Sequence, residues 1–219
     1  MKFFTQRRYF LAAAVCFVVV FTLATLFREG PKDTAPRTVG TPAIGGPFTL
    51  VDHTGKSVSD TAFRGRFMLV FFGYTFCPDV CPTNIQTISD AMDLLGEQAD
   101  MVQPLFVTID PERDTTEVMA DYVSNFHPRL VGLTGTSDQV PAAAKAYRVY
   151  YSKYYPPPAS LSGEQESGDE KAGEGEENSD YFMNHSSATY MMDRDGKFIT
   201  HFGHGIDSED MAERIRKYL

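Results

Sequence analysis

An unbroken apolar run, FMLVFFGY from Phe67 to Tyr74, passes through TFCPDVCP into a segment whose apolar residues recur at helical spacing. The run is too short for a lone buried helix, and it is aromatic-rich enough to be a central strand covered on both faces. After Pro82, the residues Ile85, Ile88, Met92 and Leu95 keep a helical period until Gly96 stops it. Cys77 and Cys81 therefore lie where a core strand becomes a helix.

The same alternation of strand and helix signals continues on both sides. Apolar alternation in FTLV, the turn-forming DHTG and then KSV predict a hairpin from Phe48 to Val58. A second buried strand, PLFVTID, leads into DPERDTTEVMADYVSNF, where Thr115 and Thr116 can cap a helix that ends near His127 and Pro128. Residues from Ser137 to Tyr147 read as a helix, and RVYYSKYY as an aromatic-rich strand. Strands from Ser187 to Met192 and from Lys197 to Phe202 flank the turn DRDG, and Ser208 is expected to cap a closing helix through Lys217. This order of elements implies an α/β sandwich.

A chain of 219 residues can build one well-cored domain with appendages, but not two large ones. The segment YFLAAAVCFVVVFTLATLF, from Tyr9 to Phe27, carries no charge and is long enough to cross a bilayer as a helix. Lys2, Arg7 and Arg8 precede it, whereas Arg28 and Lys32 beyond it are offset by Glu29 and Asp33. The positive-inside rule then keeps the N-terminus cytoplasmic and puts the remainder outside. A cleaved signal peptide shares the order of charge then apolar residues, but this apolar run is longer than the usual signal core and no clean small-x-small site follows. The expected organisation is a cytoplasmic stub and transmembrane anchor over residues 1–29, a tether over 30–46, and one domain over 47–219. Residues 156–180 would form an acidic flexible loop, since SLSGEQESGDEKAGEGEENSD lacks the aromatic and β-branched residues that could offset its ordering entropy. The net charge of −9, with no clustered basic face, argues against nucleic acid as a partner.

Of the cysteines, Cys16 lies within the apolar segment, and only Cys77 and Cys81 are close in sequence. In an oxidising compartment this pair can form a disulfide, act as a redox couple or hold a metal. A helix continuing from Cys77 would put both sulfurs on one face, near enough to share one ion. Dedicated thiol oxidoreductases more often carry C-x-x-C, and this motif has one residue more. Two thiolates do not complete a four-cysteine zinc or iron–sulfur site, so further ligands must come from elsewhere. His53 lies in the hairpin turn and His127 at a helix end. His185 enters the strand SATYMM from the end of the acidic loop, and the pair His201-x-x-His204 is its competitor. Soft thiolates with one imidazole suit copper above all.

FFGYTFCPDVCP from Phe71, FVTIDPERDT from Phe106, RVYYSK from Arg148 and HSSATYMMDRDGKF from His185 together resemble the Sco/SenC copper proteins, which serve cytochrome c oxidase assembly. The match covers nearly all of the chain beyond the tether. It implies a thioredoxin-like fold in which Cys77, Cys81 and His185 bind one Cu(I) or Cu(II) ion. It implies delivery of that copper to the dinuclear centre of oxidase subunit II, with a copper-donating chaperone as a further partner. Thiol–disulfide work by Cys77 and Cys81, which would then form a disulfide when oxidised, is the alternative; His185 would in that case tune a thiolate. Asp110 and Asp114 match the family's DPxxD loop and would support the site or face a partner. The long acidic stretch before His185 departs from the family pattern. The absence of an Arg- and Ser-rich transit peptide points to a bacterial cytoplasmic membrane, with the domain in the periplasm.

Overall fold

In the computed structural model, residues 44–155 and 181–219 are described. The expected anchor over Tyr9–Phe27, the tether up to residue 43 and the acidic loop over 156–180 lie outside them. Among the described residues no helix is long and apolar enough to cross a membrane.

The strand predicted from the apolar run is β3, Phe67–Gly73, and every one of its residues is buried. It pairs in parallel with β4, Val102–Thr108, which is equally buried. β4 pairs in parallel with β5, Val131–Thr134. Strands covered on both faces read as near-continuous apolar runs, and β3 and β4 do so because helices lie over the sheet. The predicted hairpin is β1, Thr49–Asp52, with β2, Ser57–Ser59, and β1 adds antiparallel to β5. Asp52 accepts the backbone N–H groups of Thr54 and Lys56 and so closes the turn. On the other side of β3 stand β8, Thr189–Met192, and β9, Phe198–Phe202, both antiparallel to their neighbours. The seven-stranded order is β2-β1-β5-β4-β3-β8-β9, a mixed sheet with its parallel part at the centre.

Among the described residues there are four α-helices. α1, Val80–Leu95, buries Ile85, Ile88, Met92 and Leu95, the residues picked out by their spacing, and Gly96 ends it at a positive φ of 56°. It packs against α4, Ser208–Arg216, which buries Met211, Ala212 and Ile215. α2, Thr116–Val123, is capped by Thr115, whose side chain accepts the N–H of Val118. α3, Gln139–Ala146, lies within the span expected from Ser137 to Tyr147.

Four local expectations change. α1 begins at Val80, so Cys77 precedes it instead of lying within it. The cap of α4 is Asp207, which accepts the N–H of Asp210 at 2.7 Å, because a carboxylate one residue earlier in extended backbone reaches the free N–H better than Ser208 does. RVYYSKYY contributes only β6, Tyr151–Tyr154, which leaves the main sheet to pair with β7, Phe182–His185. His185 thus ends a strand of its own and does not lead directly into β8.

Candidate metal centre

Cys77 sits in the turn between β3 and α1, where its N–H donates to the carbonyl of Tyr74 at 3.3 Å. The first N–H groups of a helix have no partner within it. Asp79, at the cap position of α1, supplies no side-chain bond, and the Cys77 sulfur accepts the Cys81 N–H at 3.4 Å in its place. Cys81 is the second residue of α1 and is fully buried, while Cys77 is half-buried. Gly73, at the end of β3, makes room for this packing: a Cβ there would stand 2.8 Å from Cys81 Sγ and 3.0 Å from the rings of Phe71 and Phe106. Pro82 fits the first turn because its missing N–H would have had no partner.

His185 arrives from the opposite side of the sequence. Register pairs it with Tyr151 across β6 and β7, and its ring stands against Phe71 at 6.3 Å and Tyr74 at 6.0 Å between centroids. Its Nδ1 donates to the carbonyl of Ser186 at 2.9 Å. That bond fixes the tautomer and leaves Nε2 as the lone-pair nitrogen, 3.4 Å from Cys81 Sγ. Cys77, His185 and His204 line one open cleft of about 370 Å³, which Tyr74 and Phe182 wall. A larger cleft, about 490 Å³, is lined by Phe48, Asp60, Gln139 and neighbours and holds neither cysteine nor histidine, so size does not locate the chemistry.

The two thiols are made unlike by their surroundings. The Cys81 thiol donates to Cys77, and with further hydrogen bonds from the backbone N–H groups of Asp79 and Cys81 this holds Cys77 far below the ordinary thiol range despite burial. The same bond, and then burial, push Cys81 far up. Cys77 is the thiolate at neutral pH and Cys81 carries the proton. Iodoacetamide should therefore label Cys77 first, at a rate nearly constant from about pH 5 to about pH 8, where an ordinary thiol gains about tenfold per unit. Peptide mapping of the reduced protein checks this; equal labelling of both, or a rate at Cys77 that climbs across that range, would contradict it.

Behind the cysteine loop lies a buried acidic network. Asp114, fully buried, accepts from the N–H of Thr75 at 3.1 Å, the hydroxyl of Thr75 at 2.6 Å and the hydroxyl of Thr108. Asp110 accepts from the Tyr181 hydroxyl at 2.7 Å and pairs with Arg113. The Arg113 guanidinium lies 3.7 Å from the Tyr181 ring centroid and 4.8 Å from that of Phe76, and donates to the Tyr181 carbonyl. The DPERD loop thus clasps both the cysteine loop, through Thr75 and Phe76, and the approach to His185, through Tyr181. Arg113 and Tyr181 were not among the residues expected from sequence. A buried alternation through Tyr181 and Met183 was the available signal, masked because the outward-facing residue between them is Phe182.

The donor set can be tested against a bound ion. Thiolate and imidazole donors lie about 2.3 and about 2.0 Å from a small transition metal, so two sharing one ion at trigonal angles stand about 3.7 Å apart. The 3.4 Å between Cys81 Sγ and His185 Nε2 is close to that separation. The Cys77 sulfur is engaged with the Cys81 N–H, and among the described residues no three His, Cys, Asp or Glu side chains already enclose a metal position. The residues fit a thiophilic ion that closes its own site. His201 stands apart, exposed on β9 and stacked on Phe198, whereas His204 reaches the cleft.

The SCO1/SenC family model matches residues 36–219. The chain is 38% identical to protein sco1 of Schizosaccharomyces pombe over 191 residues, which are 87% of this chain and 66% of that one. To the mitochondrial SCO1 homologue of Homo sapiens it is 38% identical over 186 residues, 84% of this chain and 55% of that one. It thus spans between about half and two thirds of the length of these relatives. Among solved structures, Bradyrhizobium japonicum ScoI with copper bound superposes with a TM-score of 0.67 at 39% identity, covering 81% of this chain and 100% of that one.

Proposed function

The chain belongs to the SCO1/SenC family, and from that premise we propose that it is a copper chaperone of cytochrome c oxidase assembly, delivering copper to the dinuclear centre of subunit II through Cys77, Cys81 and His185. One observation carries the reading: a strand-to-helix turn and a separate hairpin bring Cys77 and His185 to one open cleft, with the buried Cys81 Sγ 3.4 Å from His185 Nε2. Two thiolates and an imidazole favour copper, and Cu(I) in particular. Copper bound to ScoI of Bradyrhizobium japonicum supports the choice. The half-exposed Cys77 gives an acceptor's thiolates a point of entry, so the ion can pass by stepwise exchange of ligands. The apolar run from Tyr9 to Phe27 supports anchoring at a bacterial cytoplasmic membrane, with the domain on its periplasmic side.

A second reading, thiol–disulfide exchange with cysteines of a partner protein, draws on the low thiol range of Cys77 beside a proton-bearing Cys81, the pairing of an attacking and a resolving thiol. His185→Ala separates the two. Structural thiolate–imidazole sites bind their ion with about 10–16 kcal/mol, or about 3 kcal/mol for each of four ligands, so losing one should weaken Cu(I) binding about 100-fold. Titration of the reduced full chain against a competing chelator should show one tightly held Cu(I) in the wild type and this loss in His185→Ala. A wild type without tight copper, or a variant that binds equally well, would leave thiol exchange as the function.

A further inference from the structure

His204, which the ligand set leaves unused, lines the same cleft as Cys77 and His185. It sits in the turn between β9 and α4, flanked by Gly203 and Gly205, neither of which has a neighbour within 4 Å of where a Cβ would be. Gly205 adopts a φ of +87°, so the turn is built from residues that let the imidazole move. Its Nδ1 donates to Oδ1 of Asn84 in a long contact of 3.4 Å, which leaves Nε2 bare. Asn84 is itself buried in α1, one turn beyond Cys81, and its Nδ2 has no partner. A buried amide with an unmatched N–H is costly, and an apolar residue would serve the core better. What Asn84 does provide is a hydrogen-bond acceptor that orients His204, the arrangement by which a carbonyl or carboxylate behind a ligating histidine sets its tautomer and direction.

We propose that His204 supplies, through Nε2, a fourth donor to copper held by Cys77, Cys81 and His185 when the ion is Cu(II), and leaves the ion when it is Cu(I). This rests on the copper reading above. Cu(II) favours four donors in a tetragonal plane and accepts imidazole readily, whereas Cu(I) is satisfied by the soft sulfurs with fewer partners. Met183, a soft donor on the same cleft wall, is buried among core residues, whereas His204 is exposed in its turn. The consequence is a site that grips the oxidised ion with one more ligand than the reduced one, supplied from a glycine-flanked turn.

The test is pulsed electron paramagnetic resonance on the full chain loaded with one equivalent of Cu(II), which counts coordinated imidazoles through their remote nitrogens. Wild type should show two and His204→Gln one, with His201→Gln unchanged from wild type. Chelator competition should give a Cu(II) affinity lower by about 10- to 100-fold in His204→Gln and a Cu(I) affinity within about twofold of wild type. His204 is exposed in a turn, so the substitution does not threaten the fold. A single imidazole in the wild type, or a spectrum and Cu(II) affinity that His204→Gln leaves unaltered, overturns the fourth-donor assignment while the copper reading stands. A wild type that takes up no copper in either state overturns both.

Discussion

Asp114→Ala is expected to lower folding stability by at least about 3 kcal/mol, since each buried donor stripped of its acceptor costs about 1–3 kcal/mol and this carboxylate serves three. The donors are the N–H and hydroxyl of Thr75 and the hydroxyl of Thr108. The main-chain carbonyl of Asp114 also accepts the hydroxyl of Thr134, so a strand of the sheet is tied to the same residue. Urea denaturation of the full chain checks the loss as a lower midpoint at unchanged slope; a change under about 1 kcal/mol would mean that water or a neighbour replaces the carboxylate. Thr75 stands two residues before Cys77, so the damage should extend to the cysteine turn. Burial, the largest influence on Asp114, raises its affinity for a proton above that of the unfolded chain, although the hydrogen bonds it accepts oppose this. On raising the pH from acid, the unfolded chain therefore loses this proton first. The Asp114 contribution to stability is full below the ordinary carboxylate range and declines as pH rises from there to its raised folded value. Asp114→Asn keeps the shape without the proton and should remove that part of the slope.

Much of this arrangement is legible before any coordinates, and the division has physical causes. β3 and β4 are readable because central parallel strands are covered on both faces and so write themselves as uninterrupted apolar runs. α1 is readable because one face of a helix packs, leaving Ile85, Ile88, Met92 and Leu95 at its period. β5 is not legible because four residues containing Gly132 carry too little pattern, although Gly132 is required where a Cβ would come within 2.9 Å of Val123. The β6–β7 pair escaped for another reason. Its strands are separated by the acidic run, and only long-range pairing, Tyr151 with His185 and Tyr154 with Phe182, shows that they belong together. The three candidate ligands are legible as residue types, but their meeting depends on that pairing. Start and cap positions moved by a few residues, as at Val80 and Asp207, because caps are decided by which side chain reaches a free N–H in three dimensions.

The clasp around the cysteine turn explains how a site can be held ready without being closed. Asp114 fixes Thr75, Arg113 stacks between Tyr181 and Phe76, and Asp110 takes the Tyr181 hydroxyl, so cysteine turn and histidine hairpin share one anchor in the DPERD loop. Lys153 reaches the same ring and Glu112, which joins β6 to that anchor as well. Rigid backing with a half-exposed sulfur in front is what transfer requires: the ligands must be near enough to capture an ion and accessible enough to lose it.

Replacing Cys77 and Cys81 by serine together should abolish useful Cu(I) binding while leaving the fold. At about 3 kcal/mol per ligand, two lost sulfurs remove about 6 kcal/mol, roughly four orders of magnitude in affinity. Serine cannot compensate, because its hydroxyl stays protonated at neutral pH and its oxygen is a hard donor where a soft one is needed. The cost to folding should be far smaller, about 1–2 kcal/mol, and should fall mainly on Cys81, which is fully buried with its sulfur beside Gly73 at the end of β3. The single variants should differ accordingly. Cys77→Ser would lose copper with little change in the urea midpoint, whereas Cys81→Ser would lose copper and lower the midpoint. Chelator competition and urea denaturation on the same preparations separate the two effects. Cu(I) affinity in the double variant within about tenfold of wild type would show that the sulfurs are not the ligands, and the buried thiol of Cys81 would then be a packing residue beside a lone reactive Cys77.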